Sequence, residues 1–351
     1  MSSPQVNLRW YDYFLFLVGS ILSFADPITD ILTLLEFYRV GHKVWFGVGL
    51  LFFILPCFAF AFLIMYSRGN CGQAIICGLH PFGAAFARLR GFLLFMKPNS
   101  DDSDQILNDI ESVTFYEAVL ESAPQCTIQL YAISVQDEPV ASIQIISLLV
   151  SFLSLAWTFT SADKMLHGSV IATLRAKHRA GLFVVNVLHL RSRLLAVCIF
   201  TVKFKWWVMA FLISHALVIE AVSVTWLGQK CNCTFEFGKA ILTLFKFCTH
   251  WLRDDVSRHE ELYELRHRSH MKAIILVSNV LYVIENFVMI FFHYRNNHSN
   301  TWFSLPAIVV VCLFSVLGAI LRVIVFRSLL KENAVYPETL NSDNTDRNNN
   351  S

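Results

Sequence analysis

Apolar residues run through this chain in blocks of about 20, the length that carries a helix across a membrane. Eight such blocks occur: Trp10–Glu36, Val44–Tyr66, Ile106–Ile133, Val140–Ser161, Phe183–Val202, Trp206–Trp226, Ala273–Tyr294 and Ser304–Phe326. His189, Arg191 and Arg193 interrupt the start of the fifth. Two further stretches, Ala74–Met96 and Phe235–Leu252, are apolar but short or amphipathic, and predict half-penetrating helices. The pattern therefore predicts an all-α, polytopic membrane protein with eight transmembrane helices plus two half-penetrating helices.

The order of elements repeats. Span, tight hairpin, span, partial helix, charged loop, span, short loop, span describes residues 1–161 and again 191–331. Two four-span membrane repeats are expected, as many transporters show. A cytoplasmic connector at 162–190 would join them. The tail at 332–351 is rich in Asn, Ser and Asp and is expected to be disordered.

Composition agrees with the pattern. Of 351 residues, 55% are apolar and 15% charged, against about 25% charged in soluble domains. The net charge of +2 says little; the placement of basic residues says more. Arg68, Arg88, Arg90 and Lys97 fall in one connection, Lys164, Arg175, Lys177, Arg179 and Arg191 in a second, and Arg253, Arg258, Arg266, Arg268 and Lys272 in a third. The positive-inside tendency makes all three cytoplasmic, with both termini on that side. Arg39 with Lys43, and Lys203 with Lys205, run against that assignment. The sequon Asn297-His298-Ser299 fits an outside loop, so Asn297 is a candidate glycosylation site. The sequon at Asn232 falls inside and should stay unused.

Ionisable residues inside the spans carry the chemistry. A carboxylate at a helix centre costs roughly 2.5–3.5 kcal/mol on insertion scales, so several together mark a pathway. Asp26 and Asp30 stand four apart on the first span with Pro27 between them, and Asp12 falls near the same stripe. On the third span Glu117, Glu121, Gln125 and Gln129 recur every four residues around Pro124. His215 and Glu220 lie on the sixth span; Asn279, Glu285 and Asn286 lie on the seventh. Glu285 and Asn286 form a candidate second-repeat polar site. Arg193, Lys203, Lys239 and Lys246 are the nearest basic candidates to pair with the acids of the first half. Cys231 and Cys233 have no second pair at zinc spacing, so no metal site and no cofactor are expected.

Several segments in register resemble the XK-related family. Glu121-Ser122-Ala123-Pro124-Gln125, followed by Gln129-Leu130-Tyr131, resembles its signature. Asp26-Pro27-Ile28-Thr29-Asp30 resembles its paired-Asp motif, and Trp45-Phe46-Gly47 the start of its second helix. Trp206-Trp207 with His215 resembles the sixth helix, and Tyr282-Val283-Ile284-Glu285-Asn286 the seventh. The resemblance implies eight spans with two half-helices. It also implies movement of phospholipids, phosphatidylserine included, between plasma-membrane leaflets without energy input. In such members, acids of the first and third helices contribute to a headgroup path. That role carries over to Asp26, Asp30, Glu121 and Gln125; Asp12, Glu117 and Gln129 join by helical phase. Apoptotic members are switched on when a caspase trims a terminus. Here Asp343-Asn344-Thr345-Asp346 offers Asp346 as the cut residue, but Arg347 behind it departs from the pattern.

These observations order the functional classes. The leading expectation is a phospholipid scramblase; its partners are membrane phospholipids and an accessory membrane subunit or cytoplasmic lipid-transfer protein, with a homodimer as a candidate assembly. A solute or amino-acid transporter would use the same acids in a closed central site. A non-catalytic membrane partner would use the charged run Arg253–Lys272 for docking. No phosphate-binding loop, Ser-His-Asp arrangement or nucleic-acid motif is present, so an enzyme or an active flippase is not expected.

Overall fold

Helix α1 spans Trp10–Val40 and α2 spans Lys43–Arg68, joined by two residues. Gly41 makes that joint possible: it sits at φ +91°, a conformation that only a residue without Cβ adopts freely. Its N–H donates to the Tyr38 carbonyl at 3.1 Å, and the His42 N–H donates to the Phe37 carbonyl at 2.9 Å. This pair of bonds is the Schellman arrangement that caps a helix C-terminus. Close packing of the hairpin depends on Gly49, where an added Cβ would fall 2.4 Å from Leu34 Cδ2.

The computed structural model describes residues 10–68, 118–168, 176–211, 213–215, 217–218, 260–296 and 304–335, together with Phe82, Ala85 and Leu89. After α2 the next described segment is a widened π turn at Ala118–Ser122, which leads into α3 at Ala123–Val135. Pro124 explains the widening. It has no N–H for the carbonyl four residues back, and its ring collides with that carbonyl. A π turn absorbs such a defect inside a helix. Helix α4, Ser142–Gly168, begins with Gln144 reaching back to the Ala141 N–H at 3.0 Å, half of a capping box.

Helix α5 runs Ala176–Phe204, starting seven residues before the expected Phe183. His189, Arg191 and Arg193 do not break it, because two of the three, His189 and Arg193, are buried against neighbouring helices. A turn at Lys205 and Trp206 follows, with helical positions at 207–211, 213–215 and 217–218. Helix α6, Glu260–Asn296, has 37 residues, about 55 Å at 1.5 Å per residue. That exceeds a hydrocarbon layer of about 30 Å, so the helix extends well past its apolar part at Leu276–Arg295. Helix α7, Ser304–Val335, continues nine residues past Phe326.

Five helical stretches are long and apolar enough to cross a membrane among the described residues, and α5 is the most enclosed of them. The total of eight spans reaches beyond the described residues, as do the half-penetrating helices, except that Phe82 stacks on Phe24 at 6.1 Å. Leu34, Phe37, Phe53 and Ala132 join α1, α2 and α3. Ala118, Ala123, Cys126, Leu155, Phe159, Leu190 and Leu194 join α3, α4 and α5. Val197, Phe200, Met289, Ile290 and Val311 join α5, α6 and α7. Helix α5 is thus the spine between the first four helices and the last two. The outward faces are apolar: Ile21, Ile28, Leu32 and Leu35 on α1, and Leu305, Val309, Leu313 and Ile324 on α7, are exposed. On these helices apolar groups face outward, as lipid demands.

Candidate functional site

Asp26 and Asp30 lie one turn apart on α1 and both face inward; Asp30 is wholly buried. Among the described residues, neutral hydroxyls and an amide meet them. Ser122, at the π turn, donates to Asp26 Oδ2 at 2.7 Å. From α4, Ser151 makes a short bond to Asp26 Oδ1 and lies 3.1 Å from Asp30 Oδ1. Ser147 donates to Asp30 Oδ1 at 2.8 Å, and Gln129 Nε2 donates to the same oxygen at 2.9 Å. No ion pair reaches Asp30 among the described residues.

The hydroxyl side of this seam escapes the reading of acids alone. Gln144, Ser147, Ser151, Ser154 and Thr158 are all buried and spaced three or four apart along α4, so they form one stripe opposite α1. Applying the periodicity argument to α4 would have found them. Glu121 in the π turn and Gln125 and Gln129 on α3 are buried, but they do not share one target. Steps of four residues advance about 40° around a helix. Gln125 is turned to α2, where its Nε2 donates to the Gly49 carbonyl at 2.7 Å, while Gln129 reaches the acids. Glu117, Asn297, Asp346, Glu220 and the cysteines at 231 and 233 lie outside the described residues, as does the side chain of Asp12.

A second polar cluster surrounds Glu285 and Asn286 on α6. Arg193, wholly buried on α5, donates from Nη2 to Glu285 Oε2 at 2.7 Å and from Nη1 to Asn286 Oδ1 at 3.2 Å. Of the four basic candidates for the acids of the first half, Arg193 is instead held by Glu285. Lys203 stands at the far end of α5, and Lys239 and Lys246 lie outside the described residues. His215 Nδ1 lies 2.8 Å and 3.0 Å from the two Glu285 oxygens. Asn286 Nδ2 donates to Ser315 Oγ on α7 at 3.0 Å. The guanidinium also lies over the rings of Phe211 and Tyr282, at 5.5 and 5.8 Å. Tyr282 in turn bonds Ser192 at 2.7 Å and the His189 carbonyl. Charge in this cluster is matched by charge; in the first cluster the donors to Asp30 among the described residues are neutral. No group of three or more His, Cys, Asp or Glu side chains could hold a metal among the described residues.

Residues 14–330 match the family model described as XK-related protein. The chain belongs to the XK-related family. Two relatives are named XK-related protein 8. The one from Tetraodon nigroviridis is 26% identical over 255 residues, covering 64% of this chain and 62% of the relative. The one from Gasterosteus aculeatus is 22% identical over 257 residues, covering 63% and 61%. The chain thus matches under two thirds of the length of each. Both polar clusters fall inside the span matched to the XK-related family.

Proposed function

We propose that the chain is a phospholipid scramblase of the plasma membrane, with both termini cytoplasmic. It would move phosphatidylserine and other phospholipids down their gradients between leaflets, in the setting of phosphatidylserine exposure. The headgroup path would follow Asp26, Asp30, Glu117, Glu121, Gln125 and Gln129. The observation that carries this reading is Asp30: a fully buried carboxyl group, held among the described residues by hydroxyl and amide donors, within helices whose outer faces are apolar. A polar seam of this kind can replace water around a headgroup while the acyl chains stay in lipid. The seam is shut in the described conformation, so transport would require α1 to part from α4 along the serine stripe. An accessory membrane subunit or lipid-transfer partner, or a second copy, would act on that step.

The same closure favours a second reading. An acid pair sealed from lipid also suits a transporter of small cationic or zwitterionic solutes such as amino acids.

Purified protein in proteoliposomes carrying fluorescent phospholipid separates the two. A scramblase makes inner-leaflet probe accessible to an external quencher, and Asp26→Ala, Asp30→Ala and Glu121→Ala together abolish the effect. Solute uptake without probe movement would replace the scramblase by the transporter.

A further inference from the structure

The turn between α1 and α2 touches the loop between α3 and α4, where His42 Nε2 lies 3.2 Å from Glu138 Oε2. That loop is fastened to α4. Gln136 and Gln144 exchange side-chain amide bonds at 3.3 and 3.2 Å, and Gln144 Oε1 also accepts the Ala141 N–H at 3.0 Å. Gln144 begins the buried polar stripe of α4, and Ser147, one turn on, meets Asp30 of α1. The His42–Glu138 contact therefore stands at one end of the α1–α4 seam, the outer end when both termini are cytoplasmic.

Both neighbours of His42 favour its charged form. A neutral imidazole can hydrogen-bond a carboxylate, but an imidazolium makes a charge-assisted bond about twice as strong. On the other side, the rings of His42 and Trp45 are 4.1 Å apart between centroids, close enough for an imidazolium to gain cation–π attraction. Trp45 is itself set edge-on against Phe37 of α1 and Tyr131 of α3. The other charged groups of these elements are Glu36 and Arg39 on α1, which pair with each other at 2.8 Å, Lys43 on α2 and Asp137 in the loop. Among the described residues the acid paired with His42 is Glu138. Its own backbone N–H, and after it His42, hold the Glu138 carboxyl below the ordinary 4.5, so it stays ionised where a histidine changes charge, between about pH 5 and 8.

We infer that His42 and Glu138 form a proton-operated latch: a proton on His42 clamps the α1–α2 turn to the α3–α4 loop and slows the parting of α1 from α4. The inference rests on the scramblase reading, whose opening step it regulates. Acid on the outer face holds the seam shut; neutral or mildly alkaline solution loosens it. The pair is partly exposed, His42 by 25% and Glu138 by 50%, so the latch modulates opening without blocking it.

Two measurements on the intact chain test this. Thermal midpoints in detergent read the latch without lipid. His42→Gln and Glu138→Gln, singly and together, should show a coupling at about pH 5.5 that shrinks at about pH 8. A coupling that is the same at both would overturn the latch. Movement of fluorescent phospholipid in proteoliposomes at the same two pH values reads the opening. Taken relative to His42→Gln, which reports every other titrating group, the parent chain should slow about two- to fivefold at the lower pH. His42→Arg, charged throughout, should be slow at both. The same pH dependence in the parent chain and in His42→Gln would overturn the control of opening and leave the scramblase reading in place. A pH-dependent coupling in protein that moves no lipid at either pH would remove the scramblase reading and keep the latch.

Discussion

Arg193 and Glu285, ninety-two residues apart, meet at 2.7 Å in the interior of the helix bundle. His215 closes on the same carboxylate, and Phe211 and Tyr282 cover the guanidinium. Removing one member of a buried pair strands the other charge, typically at about 3–5 kcal/mol. Arg193→Met and Glu285→Gln should each lower the thermal midpoint in detergent strongly. The double variant should lose much less than the sum of the two. Additive losses would show that the pair is not coupled and that each residue acts through its other contacts.

Glycine positions give a sharper contrast. At Gly318 an added Cβ would fall 2.4 Å and 2.9 Å from the His189 ring, which is buried and stacked on Tyr282 at 4.7 Å. A ring held on both sides cannot yield, so Gly318→Ala should destabilise by about 1–3 kcal/mol, as overpacking does. Gly47 has nothing within 4 Å of its added Cβ. There the helix propensity of alanine acts alone, and Gly47→Ala should stabilise by up to about 1 kcal/mol. Opposite shifts in unfolding midpoint for the two variants are the expected result.

The membrane helices are legible in the sequence because lipid imposes a length, and apolar blocks of that length stand out. The acids are legible for the converse reason: Asp26, Asp30 and Glu121 are costly in such blocks. What meets them is harder to read. Ser147 and Ser151 are nearly neutral in hydropathy, so α4 looks like an ordinary span until its buried face is seen. The 40° drift of a four-residue repeat separates Gln125 from Gln129, although both sit on one apparent stripe. Arg193 could have faced either group of acids, because spacing within one helix carries no information about which partner helix it meets.

The serine stripe predicts a stability effect of its own. Ser151 stands against both Asp26 and Asp30, so Ser151→Ala withdraws a donor from two buried carboxyl groups at once. Loss of a buried partner costs about 1–3 kcal/mol, and urea or thermal unfolding in detergent should register a loss in that range. Thr127 donates only to the Ala123 carbonyl within its own helix. Thr127→Ala should therefore change stability far less, and an equal loss at both positions would argue against the seam.

The turn at Gly41–His42 is tied to the loop between α3 and α4, where His42 Nε2 lies 3.2 Å from Glu138 Oε2. The Glu138 carboxyl is held below its usual range first by its own backbone N–H, with His42 adding to the effect and partial desolvation opposing it. A depressed carboxyl pKa stabilises the fold above the ordinary value of 4.5, and that contribution is lost as pH falls through the lower folded-state value. Glu138→Gln should therefore unfold at a lower temperature than the parent chain at neutral pH. The gap should persist down to about the unperturbed carboxyl pKa and close below it, where the parent's Glu138 is itself protonated. Midpoints measured across pH 3 to 7 check this, and a gap that did not change with pH would assign the effect to the shape of the side chain rather than its charge.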